Sequence, residues 1–212
     1  ENLSNAQIAE MKFCKAYSYF VLQQFDKAKP LFNSIRQLPN NPNYIDANYY
    51  YGFLQFNEKN YSEAIQAFMI AEKAPDYQNI VPFYLSELYY FSGEKDKALN
   101  YAELAIQKKG QYYDLPLKQL AGHILFEKRQ FAKALPYLQE YVERKEKVSR
   151  EDIYELSYCY YEAKNWQKAI SGFKQIGSAQ DSLAQNSMYL LADCYLKVDD
   201  PANARSAFLF CY

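Results

Sequence analysis

The chain has 212 residues, of which half are apolar and 23% are charged, so it is globular rather than disordered. Its formal net charge of -1 leaves no basic surface for nucleic acid, and no apolar run approaches the roughly 18–20 residues that span a bilayer. Gly and Pro are scarce, with six and eight copies, which argues against a turn-rich β-sandwich or barrel, whereas 23 residues are Tyr and 14 are Phe.

The cysteine and histidine content predicts no metal site and no catalytic centre. There is no CxxC pair and only one histidine, His123, whereas a zinc site needs about four N or S ligands brought together. No glycine-rich phosphate loop or nucleophile motif points to an enzyme. We therefore expect no catalytic residue, no cofactor and no metal, and we interpret the cysteines as small buried hydrophobic side chains: Cys14, Cys159, Cys194 and Cys211.

An alanine recurs along the chain at intervals of 34–36 residues, in the strings FDKA, YSEA, EKDKA, FAKA, WQKA and PANA. These anchor alanines are Ala28, Ala64, Ala98, Ala134, Ala169 and Ala204. Apolar residues keep step four and seven positions later, which are spacings of one helix face, so each unit is predicted to be two amphipathic helices. Twelve positions earlier stand small residues, which we expect to meet the anchor alanines where the helices cross: Ala16, Gly52, Ser86, Gly122, Ser157 and Ala192.

In chain order, the pattern predicts one array over residues 1–212, with units at about 9–42, 45–78, 79–112, 115–148, 150–183 and 185–212. Short polar breaks separate the two helices of each unit, at residues 23–24, 57–60, 92–94, 127–130, 163–165 and 198–200. Ser149 and Asp152 are predicted to form a capping box that opens the fifth unit. The last unit stops on the apolar residues Leu209–Tyr212, so we expect it to be truncated and the chain to be a fragment of a longer one.

This pattern resembles the tetratricopeptide repeat (TPR) family, including its bacterial members. The best unit, 50–77, carries the small Gly52, the aromatic Tyr61, Ala64, Phe68 and the closing Pro75. Periods of about 40–47 residues, as in HEAT and armadillo repeats, do not fit, and the TPLH string of ankyrin repeats is not seen. The resemblance implies an all-α fold, a right-handed α-α superhelix (TPR solenoid) of about six helix-turn-helix repeats and twelve helices. The family's Trp near the start of the first helix is missing from every unit.

The resemblance also implies that the first helix of each unit lines a concave groove. The inward positions carry thirteen aromatic residues, which we call the aromatic stripe: Phe13, Tyr17, Phe20, Tyr49, Phe53, Phe56, Phe83, Tyr90, Phe126, Tyr154, Tyr158, Tyr161 and Tyr189. The same positions hold the polar residues Glu87, Gln119, His123 and Asp193. These rings either form a recognition surface or pack on one another as a groove wall. Tyr and Phe also replace the Lys and Asn with which chaperone-binding relatives clamp a terminal carboxylate, so that ligand is not expected.

The leading functional hypothesis is a non-catalytic protein–protein interaction scaffold that binds a peptide or protein segment in the aromatic-rich groove. One alternative is a carbohydrate-binding module of the bacterial envelope, since tyrosine rings also stack on sugars. Another is an architectural array that self-associates through the truncated C-terminal end. No nucleic-acid partner is expected. The Tyr- and Asn-rich composition is similar to that of bacterial envelope proteins, which favours the periplasm or cell envelope over the cytoplasm without fixing the compartment.

Overall fold

A computed structural model describes residues 4–177 and 179–211, with only the backbone of Cys211. Over these residues the chain forms twelve α-helices and one short 3-10 helix, and no strand. The helices are α1 (Asn5–Val21), α2 (Phe25–Ile35), α3 (Tyr44–Asn57), α4 (Tyr61–Ala71), α5 (Val81–Phe91), α6 (Lys95–Lys108), α7 (Asp114–Glu127), α8 (Phe131–Arg144), α9 (Arg150–Glu162), α10 (Trp166–Ile176), α11 (Ser182–Lys197) and α12 (Pro201–Phe208), followed by η1 (Leu209–Cys211).

The helices form six antiparallel pairs in phase with the anchor alanines. Each anchor is the fourth residue of the second helix of its pair, and each is buried. The aromatic residues four positions after three of the anchors, Phe32, Phe68 and Phe173, are fully buried as well. The predicted helix-turn-helix repeat is therefore confirmed, and its core lies where the sequence pattern placed it.

The pairs fall into two compact units of three pairs each. Unit 1 is Glu1–Tyr113 and contains α1 to α6, while unit 2 is Asp114–Tyr212 and contains α7 to α12. Within each unit, every helix contacts the next one in chain order. In unit 2 the first helices of successive pairs also touch, α7 with α9 and α9 with α11. A single array over 1–212 stays a prediction.

All six turns within the pairs use one backbone design. Five residues before each anchor alanine, the chain adopts a positive φ between 56° and 82°, at Gln23, Lys59, Gly93, Arg129, Lys164 and Asp199. The next residue donates its backbone N–H to the carbonyl five positions earlier, as Asn60 does to Gln55 at 2.9 Å. This is the left-handed helix end that usually favours glycine. Only one of the six positions has glycine, so the other five residues adopt a strained conformation.

The helix crossing differs in one detail from the prediction. The small residues of the first helices are buried as expected, but the two glycines face the residue four positions after the anchor alanine. A methyl group on Gly52 would lie 3.1 Å from the ring of Phe68, and one on Gly122 would lie 2.7 Å from the side chain of Leu138. At these two crossings the nearest atoms belong to a large side chain four positions after the anchor, which explains why a glycine is accommodated there.

Two further local predictions have different outcomes. The capping box at the start of α9 is confirmed, because the Ser149 hydroxyl accepts from the Asp152 N–H at 3.0 Å and the Asp152 carboxylate accepts from the Ser149 N–H. Cys159 and Cys194 are buried, as predicted. The prediction for Cys14 is wrong, since this residue lies on an exposed face of α1, and the side chain of Cys211 lies outside the described residues.

Candidate functional site

All thirteen residues of the aromatic stripe lie on first helices, as predicted, and none of their rings is fully buried. Tyr17 and Tyr189 are exposed, with 42% and 59% of their surface accessible, and the other eleven are half-buried. The rings of the core, such as Phe32 and Phe68, are closed off completely. The stripe on the first helices thus stays partly open to solvent, whereas these core rings, which lie on the second helices α2 and α4, do not.

In unit 1 ring contacts join the stripe residues of α1 to those of α3. Phe20 meets Phe53 edge-on with centroids 5.7 Å apart, and Tyr17 meets Tyr50 at 5.4 Å. Tyr50 was not among the predicted residues, yet its ring also stacks on the buried Phe32 at 5.3 Å. Burial raises the pKa of Tyr50 to about 12, with the neighbouring Tyr17 adding to the shift. Tyr50 precedes Phe53 by three positions, a helical spacing that would have identified it.

Two tyrosines from the loops after second helices complete the unit 1 stripe. Tyr77 stacks on Tyr49 with centroids 4.3 Å apart, and its hydroxyl donates to the Asp46 carboxylate. Tyr113 packs on Phe83 at 4.6 Å. Burial and the bond to Asp46 raise the pKa of Tyr77, which keeps the hydroxyl protonated. Loop residues have no helical period, so the repeat pattern did not predict either contact.

In unit 2 polar bonds join the first helices of successive pairs. The Gln119 amide donates to Asp152 at 2.9 Å, His123 Nδ1 lies 2.6 Å from the Glu155 carboxylate, and the Tyr161 hydroxyl donates to Asp193 at 2.7 Å. Three of the four predicted polar positions, Gln119, His123 and Asp193, are therefore cross-links between repeats. They replace some of the ring contacts seen in unit 1.

Of these three links, the one between His123 and Glu155 is the one in which both side chains can carry a charge. The hydrogen bond to Glu155 raises the pKa of His123 against the lowering effect of burial, and Glu127 and Asp152 add to the rise. The second carboxylate oxygen of Glu155 is buried and has no hydrogen-bond partner among the described residues. The imidazole is the hydrogen-bond partner of this carboxylate, so we interpret the pair as a structural link between α7 and α9.

Other features of the described residues bear on chemistry. They contain no group of three or more His, Cys, Asp or Glu side chains placed to hold a metal ion. Burial raises the pKa of Cys159 and Cys194 to about 12, so neither thiol is ionised at neutral pH.

None of the helices between residues 4 and 211 has the length and hydropathy to cross a bilayer. At the C-terminal end, Leu209 and Phe210 are 69% and 60% exposed.

Comparison with known proteins identifies the fold class. A family model described as anaphase-promoting complex, cyclosome, subunit 3 matches residues 127–211, which is less than half of the chain. No curated protein matches the sequence. Among solved structures, the chain is similar to YrrB, described as a TPR protein with an unusual peptide-binding site, with a TM-score of 0.69 and 18% identity over 85% of this chain and 90% of that one.

Two further structures agree. A tetratricopeptide repeat protein from Parabacteroides merdae gives a TM-score of 0.65 and 18% identity over 95% of this chain and 77% of that one. A MamA structure, marked AMB-1, gives 0.65 and 15% identity over 79% and 89%. The chain therefore has the fold of tetratricopeptide-repeat proteins. At these identities the likeness extends to the fold alone.

Proposed function

We propose that this chain is a non-catalytic interaction scaffold that binds a peptide or protein segment along the aromatic stripe. The observation that carries the proposal is that all thirteen rings of the stripe remain at least partly accessible, although the core rings beside them are closed off. The tetratricopeptide-type fold supports a protein–protein interaction scaffold in general, and one structural neighbour, YrrB, is described as having a peptide-binding site.

The chemistry of the stripe suits an extended polypeptide. Tyrosine offers a large apolar face and a hydroxyl while losing little side-chain entropy, which is why it is enriched in recognition surfaces. The ring contacts hold the aromatic side chains of unit 1 in place before a ligand arrives, as in the stacking of Tyr49 on Tyr77. Less ordering is then left for binding itself, which improves affinity.

The test uses the full chain and peptides selected from a displayed random library. Tyr17→Ala removes an exposed stripe ring, and we expect it to weaken binding of the selected peptides about tenfold in isothermal titration, as for other aromatic anchors. Tyr112→Ala is the matched control, because Tyr112 is 75% exposed but lies in a loop outside the stripe. Both variants should keep the melting temperature of the parent chain.

Three outcomes would contradict the proposal. The library could yield no binder, the selected peptides could be insensitive to Tyr17→Ala, or Tyr17→Ala and Tyr112→Ala could weaken binding equally. A parallel titration with envelope glycans addresses the carbohydrate alternative. If the chain binds glycans but no peptide, and Tyr17→Ala abolishes the glycan binding, the stripe is a sugar-binding surface instead.

Self-association through the C-terminal end remains a separate proposal, supported by the exposed side chains of Leu209 and Phe210. Sedimentation velocity at several concentrations tests it. The double variant Leu209→Ser with Phe210→Ser should remove any concentration-dependent species. Sedimentation as a monomer at all concentrations would contradict it.

A further inference from the structure

One three-residue arrangement recurs where consecutive repeats meet. The first residue lies on the first helix of one repeat, eight positions before its anchor alanine, and the second residue begins the second helix of the same repeat. The third residue lies on the first helix of the next repeat, eleven positions before that repeat's anchor. In the first two repeats these are Phe20, Phe25 and Phe53. The ring of Phe20 lies 5.6 Å from that of Phe25 and 5.7 Å from that of Phe53. Three rings fill this junction.

The corresponding junction between the first two repeats of unit 2 is filled in the same way. Phe126 and Phe131 lie 5.4 Å apart, and the ring of Tyr158 closes the group at 5.6 Å and 5.1 Å from them. In these two junctions the third position thus supplies a ring that occupies the space between repeats.

Two other junctions carry a carboxylate at the third position. In the last two repeats of unit 2, Asp193 accepts a hydrogen bond from the Tyr161 hydroxyl at 2.7 Å, beside Trp166. Between the second and third repeats of unit 1 the carboxylate is Glu87. The position that corresponds to Tyr161 is here Phe56, which has no hydroxyl to donate. Glu87 therefore lacks the hydrogen bond that the Tyr161 hydroxyl gives to Asp193.

A pocket of about 390 Å³ occupies the junction at Glu87. It is lined by Phe56, Asn57, Lys59, Tyr61, Glu87 and Phe91. Tyr61 and Phe91 stack on each other with centroids 5.8 Å apart and planes 20° apart. Glu87 is half-buried, and its carboxylate makes no hydrogen bond or ion pair with any residue between 4 and 211 that the structure describes. Burial raises the pKa of Glu87, the shift expected of a partly desolvated carboxylate.

We propose that this pocket receives a cationic side chain, Lys or Arg, from the segment bound on the stripe. This inference rests on the proposed function, because Phe56 belongs to the stripe and Glu87 lies on α5 between the stripe residues Phe83 and Tyr90. The faces of aromatic rings attract cations, and a carboxylate among them adds a charge partner. An apolar side chain would bury the Glu87 carboxylate further without pairing it. An anion would meet the like charge of Glu87, which the Lys59 ammonium in the pocket lining offsets only in part.

The first test uses small probes on the full chain. Nα-acetyl-arginine N-methylamide and its lysine analogue are titrated by NMR, with the norleucine analogue as the neutral control and the glutamate analogue as the anionic one. We expect saturable shifts of the Phe56 and Phe91 resonances with the cationic probes. The affinity for the norleucine analogue should be at least about fivefold lower than that for the cationic probes. Glu87→Gln should remove this preference, and Phe91→Leu should reduce it.

Asp193→Asn is the matched control, because it changes the corresponding carboxylate that Tyr161 already pairs. It should leave cation binding unchanged. Equal affinities for arginine and norleucine, no effect of Glu87→Gln, or a preference for the glutamate probe through Lys59 would each overturn the cation pocket.

A second test separates this inference from the proposed function. In a peptide selected on the full chain, each basic residue is replaced by norleucine, and both peptides are titrated against the parent chain and Glu87→Gln. We expect one replacement to cost about fivefold on the parent chain and nothing on the variant. Peptides that depend on Tyr17 but not on any basic residue would refute the cation pocket alone. Arginine-probe binding without any selected peptide would refute segment binding instead.

Discussion

The two units build the same helix pairs but join their first helices with different chemistry. Unit 1 uses rings, with Tyr50 contacting three stripe residues of α1 and Tyr77 stacked on Tyr49. Unit 2 adds polar bonds between successive repeats, as in His123 with Glu155. The turns and the anchor alanines are alike in both units. The comparison teaches that backbone geometry and the buried face are tightly constrained here, whereas the residues of the stripe are free to vary with function.

The largest expected effect tests whether the buried face is equally important in both units. Phe68 and Phe173 occupy corresponding core positions and are fully buried, so Phe68→Ala and Phe173→Ala should each lower the free energy of unfolding by about 3–5 kcal/mol. Urea denaturation followed by circular dichroism measures both. The fluorescence of Trp166, the chain's one tryptophan, reports on unit 2 for the second variant. A loss below about 0.5 kcal/mol in either would contradict the shared core.

The second prediction distinguishes the two glycine crossings. Gly122→Ala places a methyl group 2.7 Å from the Leu138 side chain and 3.3 Å from its backbone nitrogen, so overpacking should cost about 1–3 kcal/mol. Gly52→Ala meets only the ring of Phe68, at 3.1 Å, and the better helix propensity of alanine offsets part of that cost. Urea denaturation should therefore rank Gly122→Ala as the more destabilising change. The reverse order would show that the Leu138 contact relaxes easily.

These contacts also show what the sequence was able to predict. The anchor alanines located all six helix pairs, because close helix packing demands a small residue at a regular interval. The stripe followed from helical spacing as well. Tyr77 and Tyr113 were missed because they lie in loops, where no period applies. The sequence also did not predict that Glu87 lacks a hydrogen-bond partner. That conclusion requires comparing Phe56 with Tyr161 at a junction that only the structure defines.

The third prediction exchanges residues at the left-handed turn position. Lys164 in unit 2 has φ of 56° and Gly93 in unit 1 has φ of 82°. Because a side chain is strained in this region, Lys164→Gly should stabilise the chain and Gly93→Ala should destabilise it, each by about 1 kcal/mol. Thermal unfolding measures both shifts. Lys164→Ala is the control for loss of the charged side chain, and it should not be stabilising.

The smallest expected effect concerns the link between His123 and Glu155 in unit 2. The bond to Glu155 raises the pKa of His123 above its usual value of about 6.5. A group whose pKa is higher in the folded state binds its proton more tightly there, so its stabilising contribution is complete below about pH 6.5 and is lost as pH rises through the folded pKa. The effect is small because the imidazole remains partly exposed and screened by solvent.

The single histidine makes this prediction directly measurable. The C2 proton of His123 is the only imidazole signal of its kind in the chain, so an NMR titration gives its pKa without assignment. We expect a midpoint above 6.5 in the parent chain and a return toward 6.5 in Glu155→Gln, which keeps the shape of the side chain but removes its charge. Asp193→Asn, in the polar link between Tyr161 and Asp193, should leave the midpoint unchanged. A parent midpoint at or below 6.5 would mean that burial outweighs the carboxylate, and α7 and α9 would then be joined by a neutral hydrogen bond rather than an ion pair.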